Sequence, residues 1–406
     1  MSARGGNRGG CLGCAAVLAL LAGCVIAMVY LLAPTTVGIT AQAYTRRTLE
    51  SLGVEKREHL PQEALGYLGQ RLSEREQQAY MQILEGVMKY ETSIAVLDAT
   101  SEEVEHAYSA MMCDHPELFW LDGSFMYTTP EMLDTVTVEP GLGLPLNEVE
   151  PTRKSIEAEA DAVLAQIGDE TNEYEVAQGV YTYIASTTTY AIDAPHSQTI
   201  QSVLLNHQSV CAGYARTYQY LLQRAGMFYA YVEGTIASTG ETHAWNLTRI
   251  GGEYTYVDPT WADPTYTGNE VDEVPPVPED AVIYDYLGLT TGEMERDDHV
   301  FKDASAWPVC EATDFDYYRV HGLYFDAYDE AAIGDAFWRQ VDAGGNFAAF
   351  KFGSEELYNQ VLADLSNGKF QRENLLALGS QSETGETSIH YSYSSSDALH
   401  IIKLYW

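Results

Sequence analysis

Hydrophobic and polar residues recur with helical spacing in the first half of this chain of 406 residues. From Pro61 to Tyr90, and from Ser101 to near Pro116, apolar residues lie three and four positions apart, which predicts two amphipathic helices. Two further helices are predicted from Ser155 and from Asn172. The segment FWLDGSFMYTT predicts a strand, and the residues 136–151, rich in Gly and Pro, predict a loop or linker.

Strand-like alternation replaces helical spacing after a last amphipathic segment. The sequence SVCAGYARTYQYLLQRAG, from Ser209 to Gly226, predicts a helix that begins at Cys211, behind a serine suited to capping, and ends at the glycine. The sequence THAWNLTRIGGEYTYVDPTW then has two alternating runs around Gly251 and Gly252, which predicts a β-hairpin with a two-residue turn. Helices followed by a meander of strands predict an α+β fold rather than a doubly wound parallel sheet.

The last part of the chain has its own pattern. Residues 269–280, NEVDEVPPVPED, are acidic and rich in proline, and they predict an exposed loop. Past Trp307 the pattern predicts the order β-α-β-α-β-β, a small second α+β unit. No residues in that unit suggest chemistry.

The N-terminus predicts a membrane anchor. After Arg4 and Arg8, an unbroken run of about 23 apolar or small residues extends from Cys11 to Ala33, long enough for a helix to span a bilayer. The sequence LAGC, which ends at Cys24, also resembles the site at which bacterial lipoproteins are cut and acylated, and this alternative stays open. Either interpretation predicts that the bulk of the chain lies on the extracytoplasmic side of the cell membrane.

The net charge of the chain excludes one class of partner. The chain has 59 Asp and Glu residues against 22 Lys and Arg, a formal net charge of −37, which argues against nucleic acid as a partner.

Three of the six cysteines lie in the predicted anchor, and Cys113, Cys211 and Cys310 remain. A disulfide between Cys113 and Cys310 is possible, and it would leave Cys211 as the free thiol.

Three residues predict nucleophilic chemistry. Cys211 falls in the first turn of its helix, where unpaired amides and the helix dipole favour a thiolate. In the hairpin, a tight turn sets Ile250 opposite Glu253, and the same register places His243 on one face of the sheet, diagonal to Asp258. A cysteine, a histidine and a carboxylate so arranged can serve as nucleophile, base and orienting group.

The motifs VCAGYA, HAWN and VDPTW, with DHPELFW upstream, resemble the bacterial transglutaminase-like superfamily, whose arrangement is related to that of papain-like proteases. The resemblance implies that Cys211 is the nucleophile, that His243 is the general base and acid, and that Asp258 orients the imidazole. It also implies a thioester route on amide bonds of proteins or cell-wall peptides, by hydrolysis or by transfer to an amine. No cofactor and no metal are implied.

We therefore expect four regions. They are an N-terminal anchor at 1–34, a helical region with a stalk at 35–135, a transglutaminase-like catalytic domain at 136–304, and a C-terminal α+β domain of unknown role at 305–406.

Other interpretations use the same residues. A catalytically inactive scaffold or adhesion module could keep this fold, with the C-terminal unit as its binding part. Zinc could bind Cys211, His243 and Asp258, although no two of these lie at a typical short ligand spacing. The remaining histidines considered are expected to be structural only: His106, His115, His207 and His299.

Overall fold

The computed structural model describes residues 61, 64–129, 135–168, 171–263, 282–342, 347–367 and 392–405. Residues Pro61–Trp406 form a compact unit. The predicted anchor at 1–34, with Cys24, and the proline-rich loop at 269–280 lie outside the described residues. Among the described residues, no helix has both the length and the apolar character needed to cross a membrane.

Helices are combined with strands that pair mainly, though not everywhere, in antiparallel fashion, which confirms the α+β class. The helices are α1 Glu74–Met88, α2 Ser101–Asp114, α3 Leu146–Ile167, α4 Glu173–Thr187, α5 Ile200–Leu204, α6 Cys211–Arg224, α7 Thr291–Arg296, α8 Tyr317–Val320, α9 Glu330–Asp342 and α10 Glu355–Ser366. The strands are β1 Ile94–Leu97, β2 Leu121–Thr128, β3 Thr135–Leu142, β4 Thr189–Tyr190, β5 Gln208–Ser209, β6 Tyr229–Ile236, β7 Thr242–Ile250, β8 Glu253–Val257, β9 Leu287–Leu289, β10 His299–Phe301, β11 Tyr324–Phe325, β12 Phe347–Phe352, β13 Ser392–Ser396 and β14 Ile401–Tyr405.

The helix predicted from Pro61 begins only at Glu74, after a short 3-10 turn at Gly69–Arg71, whereas the helix predicted from Ser101 begins at that residue. Ser73 caps α1 and Thr100 caps α2, each with a glutamate three residues later that bonds back to the cap amide. Such reciprocal bonds satisfy two of the amides that a helix start leaves unpaired. The two helices pack on each other beside a sheet with the order β1-β3-β2.

The prediction of a loop at 136–151 is wrong. This segment forms β3, which lies between β1 and β2, and then the start of α3. Pro140 is compatible with β3 because the pairing with β1 ends at Val138, so at Pro140 the strand pairs only with β2. Pro151 lies inside α3, near its N-terminus, where it removes one helical hydrogen bond without ending the helix.

The central sheet has the strand order β10-β6-β7-β8-β9. Helix α6 packs against β6 and β7, and the small residues Ala212, Ala215 and Ala244 fill that contact. The opposite face of the sheet carries larger side chains, among them Val232 and Leu247. The sheet therefore has a helix on one face and a second apolar layer on the other.

A second sheet, with the order β11-β12-β14-β13, supplies that layer and confirms the β-α-β-α-β-β pattern predicted for the C-terminal part. Val232 and Tyr256 of the central sheet belong to the same buried cluster as Phe350 and Ile402 of the second. The core is thus continuous between the two sheets. The predicted boundary at residue 305 stays a prediction.

Buried charges also join the second sheet to the rest. On β12, the Lys351 ammonium lies 2.6 Å from an Asp316 oxygen and 2.7 Å from a Glu293 oxygen, and the lysine side chain is 1% exposed. Burial lowers the pKa of Lys351, but the two carboxylates outweigh this and raise it. We call these three residues the lysine cluster.

Candidate active site

Cys211 is the first residue of α6, as predicted, but its helix is not capped by Ser209. The N-cap is Val210, which makes no side-chain cap bond; its carbonyl accepts from the N–H groups of Gly213 at 2.9 Å and Tyr214 at 3.2 Å, so the amides of Cys211 and Ala212 precede the helical hydrogen-bond ladder. Ser209 instead donates to the Ser197 carbonyl at 2.8 Å, and its hydroxyl lies 2.6 Å from that of Ser202. These bonds pack the preceding loop against the helix start.

Gly213 makes this close packing possible. A Cβ atom at this position would overlap the hydroxyl of Ser209 and would crowd the Ser202 hydroxyl and the Ser197 carbonyl. The loop and the first helical turn are therefore fixed against each other. Cys211, which is partly exposed, is held at the rim of this contact.

The hairpin forms with the predicted register. Gly251 and Gly252 both adopt positive φ, as a two-residue hairpin turn of this kind requires, and Ile250 pairs with Glu253. His243 and Asp258 consequently meet, with Nε2 of the imidazole 2.6 Å from Oδ2 of the carboxylate. The register of the hairpin thus brings the histidine and its carboxylate partner together.

Asp258 is fully buried and is held through both oxygens. Its Oδ1 accepts from the backbone N–H of Thr260 at 2.9 Å, while Oδ2 faces His243. An ionised carboxylate only accepts hydrogen bonds, so Nε2 of His243 carries a proton that it donates. Its other nitrogen, Nδ1, is left for the thiol.

The electrostatics favour a protonated imidazole. Burial lowers the pKa of His243, but the charge of Asp258, the hydrogen bond to it and the neighbouring Cys211 thiol raise that pKa to about 10. For Asp258, burial acts to raise the pKa, and the His243 charge and hydrogen bond, together with His299, lower it overall. The pair therefore exists as imidazolium and carboxylate near neutral pH.

Two tryptophans enclose the imidazole. Trp245 is fully buried, with its ring 6.0 Å from that of His243, and so it packs in the core rather than lining an open channel. The ring of Trp261, which is half-buried, lies 5.6 Å from that of His243. Among Cys211, His243 and Asp258, Cys211 is thus the most exposed to solvent.

His299 is a member of the site that the sequence did not reveal. We expected a structural role only, yet its Nε2 lies 3.2 Å from Oδ2 of Asp258. The signal was weak because His299 lies 41 residues from Asp258 in sequence. Its short strand, HVF, carries no recognisable motif.

The histidine cluster is the name we use for His243, Asp258 and His299. Their potential ligand atoms lie within 4.8 Å of one another. However, these atoms already bond to each other at 2.6 and 3.2 Å, and an ion about 2.0 Å from each ligand would have to replace those bonds. We interpret the group as a hydrogen-bonded cluster.

The other two described cysteines differ from Cys211 in burial and in thiol pKa. Cys113 and Cys310 are buried and are not bridged. Burial raises the pKa of Cys113 to about 12 and that of Cys310 to about 11, so both remain thiols at neutral pH. Neither has the exposure or the imidazole neighbour that a reactive thiol needs.

Comparison with known proteins supports the resemblance seen in the sequence. Residues 161–259 match the model of the transglutaminase-like superfamily. No curated protein matches the chain. The matched residues contain Cys211, His243 and Asp258.

Solved structures give partial matches. A crystal structure of a TGase is 14% identical, with 39% of this chain and 48% of that chain covered and a TM-score of 0.26. A proposed cysteine protease from Cytophaga hutchinsonii is 12% identical, with 35% and 63% covered and a TM-score of 0.22. The periplasmic domain of TgpA from Pseudomonas aeruginosa is 17% identical, with 31% and 55% covered and a TM-score of 0.21. The match thus spans less than two thirds of each of these structures.

Proposed function

From the transglutaminase-like domain that this chain carries, we propose that it is a thiol enzyme that attacks amide bonds of proteins or peptides through Cys211. The observation that supports this most is the placement of His243, between a partly exposed cysteine at a helix start and a buried carboxylate 2.6 Å away. A base that is oriented and charged in this way stabilises a neighbouring thiolate.

The reaction then follows in two halves. The sulfur of Cys211 bonds to the amide carbon, and the carbonyl oxygen becomes an oxyanion that the amides of Cys211 and Ala212, at the start of α6, can meet. His243 gives its proton from Nδ1 to the leaving nitrogen, the carbon–nitrogen bond breaks, and a thioester remains. Water or an amine then attacks the thioester carbon, His243 takes a proton from the attacker, and the carbon–sulfur bond breaks.

We propose hydrolysis as the principal outcome, since water reaches a partly exposed thioester without a binding site of its own. Transfer to an amine uses the same intermediate and differs only in the attacking group. Glutamine-containing and cell-wall-type peptides, incubated with the full-length protein and a primary amine, separate the outcomes by mass spectrometry. Carboxylate products or cleaved peptides indicate hydrolysis, and an amine adduct indicates transfer.

The pH dependence of Cys211 alkylation tests the proposal without a known substrate. Rapid labelling at about pH 6, well below the ordinary cysteine pKa of about 8.5, is expected in the full-length protein and should be lost in His243→Ala. His106→Ala is the matched control, because His106 is exposed and bonds to Glu76 instead. Slow labelling in all three proteins would count against a thiol enzyme and favour an inactive scaffold.

We also propose that the enzyme is tethered to the cell membrane and acts outside the cytoplasm, on the strength of the apolar run at 11–33. A thiol reagent that does not cross membranes should then label Cys211 in intact cells. Labelling that requires broken cells would contradict an extracytoplasmic site.

A further inference from the structure

His299 is a buried titratable group to which the proposed reaction assigns no step. It is the first residue of β10, and its side chain is 0% exposed. Its Nε2 approaches Oδ2 of Asp258 at 3.2 Å, and His243 approaches that same oxygen at 2.6 Å. One carboxylate oxygen therefore lies between two imidazoles.

A glycine in the intervening strand makes this approach possible. Gly234 on β6 pairs with His243 on one side and with Phe301 of β10 on the other. A Cβ atom at Gly234 would overlap the Val300 carbonyl and the indole of Trp245. The indole instead occupies this space, with its ring 5.0 Å from that of His299 and nearly perpendicular to it. Side chains from β7 and β10 thus meet above β6.

The hydrogen-bond partners of His299 indicate which of its ring nitrogens carry a proton. Its Nδ1 lies 2.9 Å from the backbone carbonyl of Asp297, which can only accept, so Nδ1 carries a proton. Its Nε2 faces Asp258, which is ionised and also only accepts. Both nitrogens therefore face groups that only accept, an arrangement that a doubly protonated imidazole satisfies.

We propose that His299 is a positioning residue of the site: its imidazolium anchors the Asp258 carboxylate and, as a second positive charge, limits how tightly His243 holds its proton. This assignment rests on the proposed function, in which His243 must release that proton to the leaving nitrogen. A general acid that binds its proton too tightly transfers it poorly. His299 thereby balances the orienting effect of Asp258.

The surroundings of His299 contain further groups that titrate. From the hairpin, His243 and Asp258 face it, and the ring of Tyr286, just before β9, lies 6.4 Å away. From its own loop, the Asp297 carboxylate acts on it electrostatically and interacts with Tyr286. Nε2 of His299 is within hydrogen-bonding distance of Asp258, and the His243 ring lies 5.6 Å from the His299 ring, so His299 acts on His243 both through Asp258 and through its own charge.

The test compares the full-length protein with His299→Gln, which keeps a donor towards Asp258 but removes the charge. Histidine labelled with ¹⁵N lets NMR follow the protons of His243 and His299 directly as pH changes. The two imidazole rings lie 5.6 Å apart, and like charges at that distance shift titration by about one unit or more. In His299→Gln the titration of His243 should therefore move upward by about one unit or more.

A second variant separates positioning from charge. His299→Phe removes both, so Asp258 loses a donor, and alkylation of Cys211 at about pH 6 should slow by about 10²-fold through misplacement. The matched control is His115→Gln. His115 is also nearly buried with both nitrogens facing acceptors, Glu117 and the Ala64 carbonyl, yet it does not contact the site. It should leave the His243 titration and the labelling unchanged.

Each outcome decides between the two proposals. A His243 titration that stays in place or moves down in His299→Gln, or a wild-type His299 that is neutral at about pH 7, overturns the positioning role. Ordinary, slow labelling of wild-type Cys211 together with the upward shift of His243 would reject the thiol enzyme and keep the coupling between the histidines.

Discussion

Two of the buried charge groups in the described part of the chain differ in one instructive respect. The lysine cluster surrounds one ammonium with two carboxylates, and the histidine cluster surrounds one carboxylate with two imidazoles. In the lysine cluster the side chains are 1% to 11% exposed, and it joins the second sheet to α7 and α8. The histidine cluster is as deeply buried, but next to it stands the partly exposed thiol of Cys211.

The comparison shows that burial and a shifted pKa do not identify a reactive site by themselves. Lys351 and His243 both have a raised pKa, and both owe it to neighbouring carboxylates. Only His243 also neighbours a nucleophile that solvent can reach. In the lysine cluster the charges join neighbouring elements, whereas the function that we propose assigns to the histidine cluster the supply of a proton for transfer.

The largest effect is expected when the thiol beside the histidine cluster is removed. Cys211→Ala should abolish every product formed from peptide amides, because the proposed thioester forms on its sulfur. Losses of about 10⁶-fold are typical for a deleted nucleophile. The free energy of unfolding should change by less than about 1 kcal/mol, since Cys211 is partly exposed. Product analysis and thermal unfolding measure the two.

A variant that retains function in cells lacking the wild-type chain would show that the thiol is dispensable. It would favour the scaffold interpretation.

The lysine cluster should respond in the opposite way. Lys351→Met leaves two buried carboxylates without their counter-charge, and the free energy of unfolding should fall by about 3–5 kcal/mol. Lys302→Met is the control: this lysine is 71% exposed and pairs with Glu233, so its loss should change stability by less than about 1 kcal/mol. Denaturant titration measures both. Equal losses in the two variants would remove the distinction between the lysine cluster and a surface ion pair.

The next effect concerns the charge of the histidine cluster. Asp258→Asn removes the main cause of the raised pKa of His243, and burial then lowers that pKa. The thiolate loses its imidazolium partner, and alkylation at about pH 6 should slow by about 10²-fold, because an ordinary thiol is then almost fully protonated. Asp161→Asn, at an exposed residue that pairs with Arg224 of α6, should label like wild type.

The same pair predicts a pH dependence of stability. Folded His243 has a pKa of about 10, above its unfolded value of about 6.5, so the folded state holds the proton more tightly. Its contribution is complete below about pH 6.5 and disappears as the pH rises through about 10. The difference in unfolding free energy between wild type and Asp258→Asn should shrink over that interval. A constant difference would mean that His243 is not protonated in the folded state.

The smallest effect is expected at the buried thiol of Cys113. Cys113→Ala should change labelling of Cys211 by less than about twofold, because its own pKa of about 12 keeps it protonated. Mass spectrometry of the intact protein measures this. Labelling at Cys113 in the wild type under native conditions would show that burial does not protect it.

Local rules predicted the hairpin and its consequence well. A two-residue turn at Gly251 and Gly252 fixes the register, and the register brings His243 to Asp258, so the sequence contains that part of the site almost completely. The prediction for the segment 136–151 was wrong because Gly and Pro residues are typical of loops. Whether this segment can form a strand depends instead on where its pairing with β1 ends. That fact is set by tertiary packing.

The predictions for His299 and Ser209 were wrong for the same reason. His299 reaches Asp258 only because β10 pairs with β6 and because Gly234 leaves room, and neither fact has a local signature. Ser209 has the ideal type for a helix cap, but a loop that packs on the helix start takes its hydroxyl. Long-range pairing decided both outcomes.

The C-terminal sheet cannot be removed without exposing the central sheet. A chain that stopped near residue 304 would expose to water the apolar face of β6–β8, where Val232, Leu247 and Tyr256 now meet the second sheet. Such a face invites aggregation and degradation. The residues after about 304 therefore cover the sheet that carries His243, and the sheet depends on them to stay away from water.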